Sequence, residues 1–544
     1  MKKKWITLMV VFVLSMTAMF SGCGQKDNAS SSDVKTSGDA TDNNKAEEAN
    51  FNETGLPIVQ EPVTLKVAAR KRESIKKPFE ELEMFKQIQE ATNVHVEWQT
   101  TPVSSWNEKK NLILSGGKWP DVFYGNYVLN DNEIVKLAAD GVFIPLEDLI
   151  DKYAPNIQKV FEEYPEFKAY ITAADGHIYS LPTIHANFPY AIGAQFINKR
   201  WLDELGLEIP ETTDEFYEVL KAFKGRGNSD EVPLSFRYMK GASAIQGIAG
   251  MFGSFGLTDN DMHIVVKDDK VIYTAIQPEY KEAVKYMHTL FAEGLVDVES
   301  FSQTYPVYKS KMKNSKVGVV NLWGLNGVFG GNYKESDYVF MPPLKGPGGD
   351  QGYVWKPSGA LSGKGSFLIT STCQHPEVAI RWADYMVDPE ISFQLSEGPI
   401  GKTFERTEDG KLKPIPDPEG MSHDEFRHQE TAGANSFHMV TAEFLKNVIP
   451  SSGVAEKRSY EPIYEKVKDS IMFPPYYESP EDAKRAAIIR ADVDEYIRET
   501  TSRWMLSGGI EEEWDAYVKQ LKAMGVDELQ EIYQRTYDTG QSMK

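Results

Sequence analysis

The chain has 544 residues, 41% hydrophobic and 12% aromatic, with 80 acids against 59 lysines and arginines and a formal charge of −21 at pH 7. That charge makes nucleic acid and anionic lipid poor partners, and two cysteines, Cys23 and Cys373, supply neither a disulfide framework nor a thiolate metal cage. The length exceeds what one hydrophobic core usually serves, so two lobes are expected.

The chain opens on Lys2, Lys3 and Lys4, followed by an apolar run over 6–20 too short to span a bilayer comfortably and ending in Phe20-Ser-Gly-Cys23. This reads as a bacterial lipoprotein signal, residues 1–22, cut before Cys23, whose thiol would carry diacylglycerol. Phe20 departs from the leucine usual there, and the competing readings are a secretory signal with a chance cysteine or an uncleaved anchor. Each buried methylene of an acyl chain contributes about 0.8 kcal/mol, so more than one chain anchors stably. The expected location is the cell membrane, lipid-anchored on the extracytoplasmic side. Removing three lysines and no acid leaves 544 − 22 = 522 residues with a charge of −21 − 3 = −24. Residues 24–50 hold no aromatic side chain and only Val34 as a branched aliphatic, so 23–60 is expected to be a lipidated cysteine with a disordered tether.

Residues 63–69 alternate as a strand, 79–92 read as a helix with Leu82, Phe85 and Ile88 on one face, and 94–98 form the next strand. A helix after Trp106 carries Leu112 and Leu114 and stops at Gly116-Gly117, before a short buried strand over 120–124. This rhythm predicts a parallel sheet with helices on its faces, an α/β fold. It restarts after Gly176 with an extended stretch over 177–182, a strand over 193–198, and a helix opened by a capping box from Thr212 to Glu215 with Phe216, Val219, Leu220 and Phe223 aligned. Residues 316–320 read as a strand ending in Asn321-Leu-Trp323, 342–349 as a loop, 363–370 as a strand and 376–386 as a helix. Ser479 caps a long helix that starts at Pro480, lines Ile489, Val493, Tyr496, Thr500 and Trp504 on one face, and ends near Gly508. Trp201, Trp382, Trp504 and Trp514 fall in helical patterns and read as core.

Five segments in this order carry a resemblance: Trp106-Asn-Glu-Lys-Lys-Asn-Leu-Ile-Leu-Ser-Gly-Gly-Lys-Trp-Pro-Asp-Val-Phe-Tyr124, Gly176-His-Ile-Tyr-Ser-Leu-Pro182, Ile197-Asn-Lys-Arg-Trp-Leu-Asp-Glu-Leu-Gly206, Pro342-Pro-Leu-Lys-Gly-Pro347 and His375-Pro-Glu-Val-Ala-Ile-Arg-Trp-Ala-Asp-Tyr385. The chain resembles bacterial extracellular solute-binding proteins. More narrowly, it is similar to the lipoprotein substrate-binding subunits of carbohydrate importers in Gram-positive bacteria, distant kin of maltose-binding and alginate-oligosaccharide-binding proteins. The resemblance implies an α/β two-lobed clamp with the ligand cleft between lobes, one lobe from 61–185 plus 358–395 and the other from 186–357 plus 396–544. Hinge crossings would lie near 182–190, near 355–361 and after Met386. It implies a monomeric, non-enzymatic binder without cofactor that hands a small-molecule solute, an oligosaccharide, to the permease of an ABC transporter. The alternatives are the same clamp holding a peptide or other small solute, or a secreted glycoside hydrolase; the latter needs two carboxylates roughly 5 to 10 Å apart, and no local motif proposes them.

Sugars offer apolar ring faces to aromatic side chains and hydroxyls to planar donors and acceptors, so aromatic residues at strand ends are the candidates. Tyr124 and Asn126 follow one strand, and Trp323 follows another at a position that matches a stacking tryptophan of the maltose-binding relatives. Trp355, Phe188, Tyr190 and His185 lie by the crossings, and Arg70 follows the first strand. Each has a plainer reading: a ring after a strand is more often core, an arginine more often a solvated rim, and a lone histidine rarely a metal ligand. Some relatives carry a calcium loop after the helix that begins near Thr212. Here Lys224-Gly-Arg-Gly-Asn-Ser-Asp-Glu-Val-Pro233 keeps only Asn228, Asp230 and Glu231 of such a pattern, so no metal is expected.

Overall fold

A computed structural model describes residues 50–186, 193–238, 247–357, 360–418, 421 and 423–544. The leader with Cys23, and the candidates Phe188 and Tyr190, lie outside the described residues. The strands in chain order are β1 (Val63–Lys71), β2 (Val94–Pro102), β3 (Val122–Tyr124), β4 (Leu181–His185), β5 (Ala194–Asn198), β6 (Val232–Ser235), β7 (Ile264–Lys267), β8 (Lys270–Tyr273), β9 (Val317–Leu322), β10 (Tyr338–Met341), β11 (Tyr353–Trp355), β12 (Leu361–Ile369), β13 (Phe404–Arg406), β14 (Leu412–Pro414), β15 (Met439–Val440) and β16 (Lys468–Met472).

The first sheet runs β15-β4-β12-β3-β1-β2. β1 parallels β2 from Val63↔Val94 to Lys71↔Pro102, with the helix Glu83–Thr92 as the crossover. The all-parallel expectation fails at β12, which runs antiparallel to both β3 and β4. β12 enters directly from β11 of another sheet, so no helical crossover sets its direction. Residues 396–544 do not all belong with the second lobe either: Met439 pairs with Ile184 and Val440 with His185, adding β15 to the first sheet. The tether also ends earlier than expected, because Ile58 and Val59 are buried and the Phe51 ring stands edge-on to Tyr153 at 5.3 Å. These apolar side chains give 51–60 something to bury, which 24–50 lack.

A second sheet runs β10-β5-β9-β6 and a third β11-β16-β7-β8. The chain passes from the first sheet to the second between β4 and β5, and returns from the third to the first between β11 and β12. It crosses again after β15 to the helix Ser452–Lys466, whose Tyr460 stacks on Phe340 at 4.2 Å. The Thr212 capping box forms, with Thr212 Oγ1 accepting from the Glu215 amide at 3.1 Å and the Glu215 carboxylate accepting from the Thr212 amide. Ser479 caps the long helix Pro480–Ser507, and all four tryptophans read as core are buried. No helix among the described residues is long and apolar enough to cross a membrane.

Candidate functional site

Strand direction gathers the candidate residues along two sheet edges. β1, β2, β3, β4 and β15 run the same way and β12 runs against them, so Lys71, Tyr124, His185 and Val440 end where Leu361 begins. Loops at the carboxyl ends of parallel strands are where open α/β sheets place ligands. In the second sheet Leu322 of β9 lies opposite Ala194 and Ser235 of β6 opposite Val320, so the residues after β6 and β9 meet the start of β5.

On the first edge, Arg70 Nη1 donates to the Tyr127 carbonyl at 2.9 Å, and Asn126 Nδ2 donates to Ser362 Oγ at 2.7 Å. Gly125 takes φ +106°, and a Cβ there would stand 2.5 Å from the Asn435 carbonyl oxygen, so only glycine lets the 433–435 turn cross over this edge. Arg70 Nε, Asn126 Oδ1 and Asn435 Oδ1 are buried with no hydrogen-bond partner among the described residues. Buried polar atoms normally find a partner, so three unpaired ones gathered at a single edge mark it as a candidate site. Burial, then the neighbouring Arg72, pulls the Arg70 guanidinium below its ordinary value.

On the second edge, Gln195 and Asn321 sit opposite each other, with Gln195 Nε2 and Asn321 Oδ1 likewise unpaired among the described residues. Trp323 is half-buried, with the Lys457 ammonium 5.1 Å from its ring centroid. Its loop is held by buried Glu456, which accepts from the Leu325 and Asn326 amides at 2.7 and 3.1 Å; burial raises that carboxyl's pKa. Arg237, two residues past β6, donates through Nε to the Gln303 carbonyl at 3.1 Å and lies 5.8 Å from the Tyr305 ring centroid.

Not every candidate reaches an edge. Tyr124 is fully buried, ringed by Phe85, Trp98 and Trp382 at 6.0, 5.2 and 5.8 Å, so it is a core side chain rather than a platform. Burial pushes its hydroxyl pKa far up. His185 is buried with Nε2 3.0 Å from Glu397 Oε1, a packing partner at the end of β4. Trp355 sits on a different sheet from Trp323 and lines an open groove of about 380 Å³ with Pro165, Tyr170, Lys468 and Ile471. Sequence reasoning missed Asn435, Gln195 and Arg237. Arg237 carried a usable signal, a cation two residues past the end of β6; Asn435 carried none, since it reaches the edge only by lying over Gly125.

Behind the first edge, His438 is buried with Nδ1 3.1 Å from Ser436 Oγ and its ring at right angles to His185, 5.7 Å between centroids. Burial, then the charge of His185, lowers its pKa from 6.5 to about 3, while Glu397 pulls the other way and Arg427 adds to the lowering. A depressed folded pKa means that the neutral ring's stabilisation is complete above pH 6.5 and is lost as pH falls from there toward 3. The slope is at most about 1.4 kcal/mol per pH unit. The urea midpoint should fall between pH 7 and pH 5, and His438→Gln should flatten that slope; an identical slope in the variant would remove His438 as its source.

Two polar edges on sheets between which the chain crosses several times define a two-lobed solute-binding clamp. The chain belongs to the bacterial extracellular solute-binding protein family, whose model matches residues 68–392. It is 34% identical over 567 residues, 100% of each chain, to the fructooligosaccharide ABC transporter substrate-binding protein FusA of Streptococcus pneumoniae serotype 4 (strain ATCC BAA-334 / TIGR4). It is 22% identical over 554 residues, 99% of each, to the polygalacturonan/rhamnogalacturonan-binding protein YtcQ of Bacillus subtilis (strain 168). The structure of FusA in complex with kestose superposes with a TM-score of 0.77 at 32% identity, covering 89% of this chain and 100% of that one. A solute-binding protein of Bifidobacterium longum infantis ATCC 15697, described as binding HMO, gives 0.78 at 25% identity over 88% and 99%. The family and these relatives are binding proteins rather than enzymes.

FusA has also been solved as an EF-hand mutant. In the loop over 224–233 the residues present do not fit a calcium ion. Arg226 pairs with Glu204 and, at 3.1 Å, with Glu231, its guanidinium 4.7 Å from the Trp201 ring centroid, while Lys316 pairs with Asp230. Calcium wants about six to eight oxygens, and these acids already hold the protein's own cations.

Proposed function

We propose that this protein is the lipid-anchored substrate-binding subunit of an ABC importer for an oligosaccharide, with a fructooligosaccharide such as kestose as the first candidate. The end-to-end match to a fructooligosaccharide binder carries this reading. The unpaired amide and guanidinium atoms on both edges support it, since planar donors and acceptors suit sugar hydroxyls. The first lobe would comprise 51–185 and 361–448, the second 194–355 and 452–544. Arg70, Asn126 and Asn435 would hold the ligand from one side, and Trp323, Asn321 and Arg237 from the other. Sugar touching both sets would favour the closed clamp by its differential affinity for the two states, and the permease would receive that form. Cys23 would carry the lipid, keeping the binder beside its permease.

Calorimetric titration and thermal melting of the mature chain with kestose, a galacturonate oligomer and a peptide pool test this. Kestose at about 100 times its Kd is expected to stabilise by about 2.7 kcal/mol. Stabilisation by peptides alone, or sugar turnover by the purified protein, would sink the reading. Cys23→Ala should release the protein into the medium, and unchanged membrane fractionation would sink the anchor.

A further inference from the structure

Tyr127 is the residue on the first edge whose conformation is bought with backbone strain. It takes φ +57°, a left-handed conformation that residues with a Cβ rarely adopt, and the residue is 58% exposed while Tyr124, three residues earlier, is 0% exposed. Nothing in the apolar core requires that ring to point outward. Strain of this kind persists only where surrounding structure over-determines it.

Here it is over-determined from both flanks. The Gly125 amide donates to the Ser366 carbonyl at 2.7 Å, and the Val128 amide donates to the Gly125 and Gly365 carbonyls at 3.1 and 3.2 Å. Arg70 grips the carbonyl of Tyr127 itself. The ring lies over the start of β12, where a Cβ on Gly363 would come within 3.3 Å of Tyr127 Cε1 and 2.2 Å of Asn126 Oδ1. Glycine at 363 therefore makes room for both side chains. The hydroxyl interacts with Ser362, the residue that also accepts from Asn126. One strained turn thus sets an exposed aromatic face beside a half-buried arginine.

We propose that Tyr127 is the first lobe's stacking platform for a sugar ring, the counterpart of Trp323 in the second lobe and the role that Tyr124 cannot fill. The aromatic face takes the apolar C–H face of the ring, while the half-buried Arg70 guanidinium beside it takes hydroxyls at its rim. This rests on the carbohydrate reading above, and the experiment separates the two. Kestose binding to the wild-type mature chain is measured first, then binding to Tyr127→Ala, Tyr127→Phe and Tyr127→Gly, each with its ligand-free melting temperature. Tyr127→Ala is expected to raise Kd about 10- to 30-fold with an unchanged ligand-free melt, because the ring supports no core. Tyr127→Phe keeps the face and should stay within about threefold of wild type. Tyr127→Gly should lose binding as alanine does while melting higher than Tyr127→Ala, because glycine adopts positive φ freely. Wild-type affinity in Tyr127→Ala would overturn the platform and leave the carbohydrate reading intact; a wild-type chain that binds no sugar would overturn both.

Discussion

Trp323→Ala is expected to weaken kestose binding about 30- to 100-fold, or about 2–3 kcal/mol, while leaving the ligand-free melting temperature nearly unchanged. Among the described residues Trp323 joins none of the buried apolar clusters, so truncating it opens no core cavity. Its position is set by backbone, since Glu456 holds the two amides that follow Gly324 and does not depend on the indole. What the substitution removes is a half-buried aromatic face beside a lysine, two residues past Asn321 with its unpaired Oδ1. Trp323→Phe should recover part of the affinity. A fall of more than about 5 °C in the ligand-free melt, roughly 2 kcal/mol for a domain of this size, would show that the ring is packing instead.

Gly346→Ala is expected to cost more than about 4 kcal/mol and to appear as insoluble expression or a collapsed melting transition. A Cβ on Gly346 would stand 1.5 Å from the Ser254 carbonyl oxygen and 2.6 Å from its carbon, both backbone atoms that cannot rotate away. The approach is fixed on each side: Ser254 Oγ donates to the Leu344 carbonyl at 2.7 Å, and the Gly346 amide donates to the Asp350 carbonyl at 2.8 Å. Nearby, a Cβ on Gly253 would come within 1.9 Å of the Gly352 carbonyl oxygen, so the loop and the 253–254 segment lie backbone against backbone along their length. Gly176→Ala is the control. It shares only the conformational penalty of positive φ (+88°), with no atom within 4 Å of its Cβ, and should cost about 1 kcal/mol. Equal losses in the two variants would mean that the close approach is not what makes Gly346 necessary.

Gly346 lies in one of the segments that carried the family resemblance, and its use was invisible there: the glycine is needed by a carbonyl almost a hundred residues earlier in the chain. The candidate ligand residues divide in the same way. Asn126, Arg70 and Trp323 could be singled out as candidates because a polar or aromatic side chain at or just past a strand's end is a local pattern. Tyr124 was misread because its strand ends one residue before the chain turns outward, and alternation alone does not say which side of the sheet the helices Glu83–Thr92 and Pro376–Met386 cover. Asn435 and Gln195 gave no local sign at all. Leu112, read as part of a helix, is in that helix and exposed, since Trp106 and Lys110 are the residues of Trp106–Ser115 that the neighbouring elements cover.

By itself the sequence determined the helices and strands with the strongest local patterns, the caps at Thr212 and Ser479, the α/β class and the family, because those follow from spacings of two, three or four residues and from the order of segments. The Thr212 capping box and the helix from Pro480 to Ser507 are of this kind. The direction of β12, the return of β15 to the first sheet, the burial of Tyr124 and the exposure of Tyr127 were decided only by the tertiary structure. Each depends on which strand lies beside which, a pairing between residues far apart in the chain that no local period encodes.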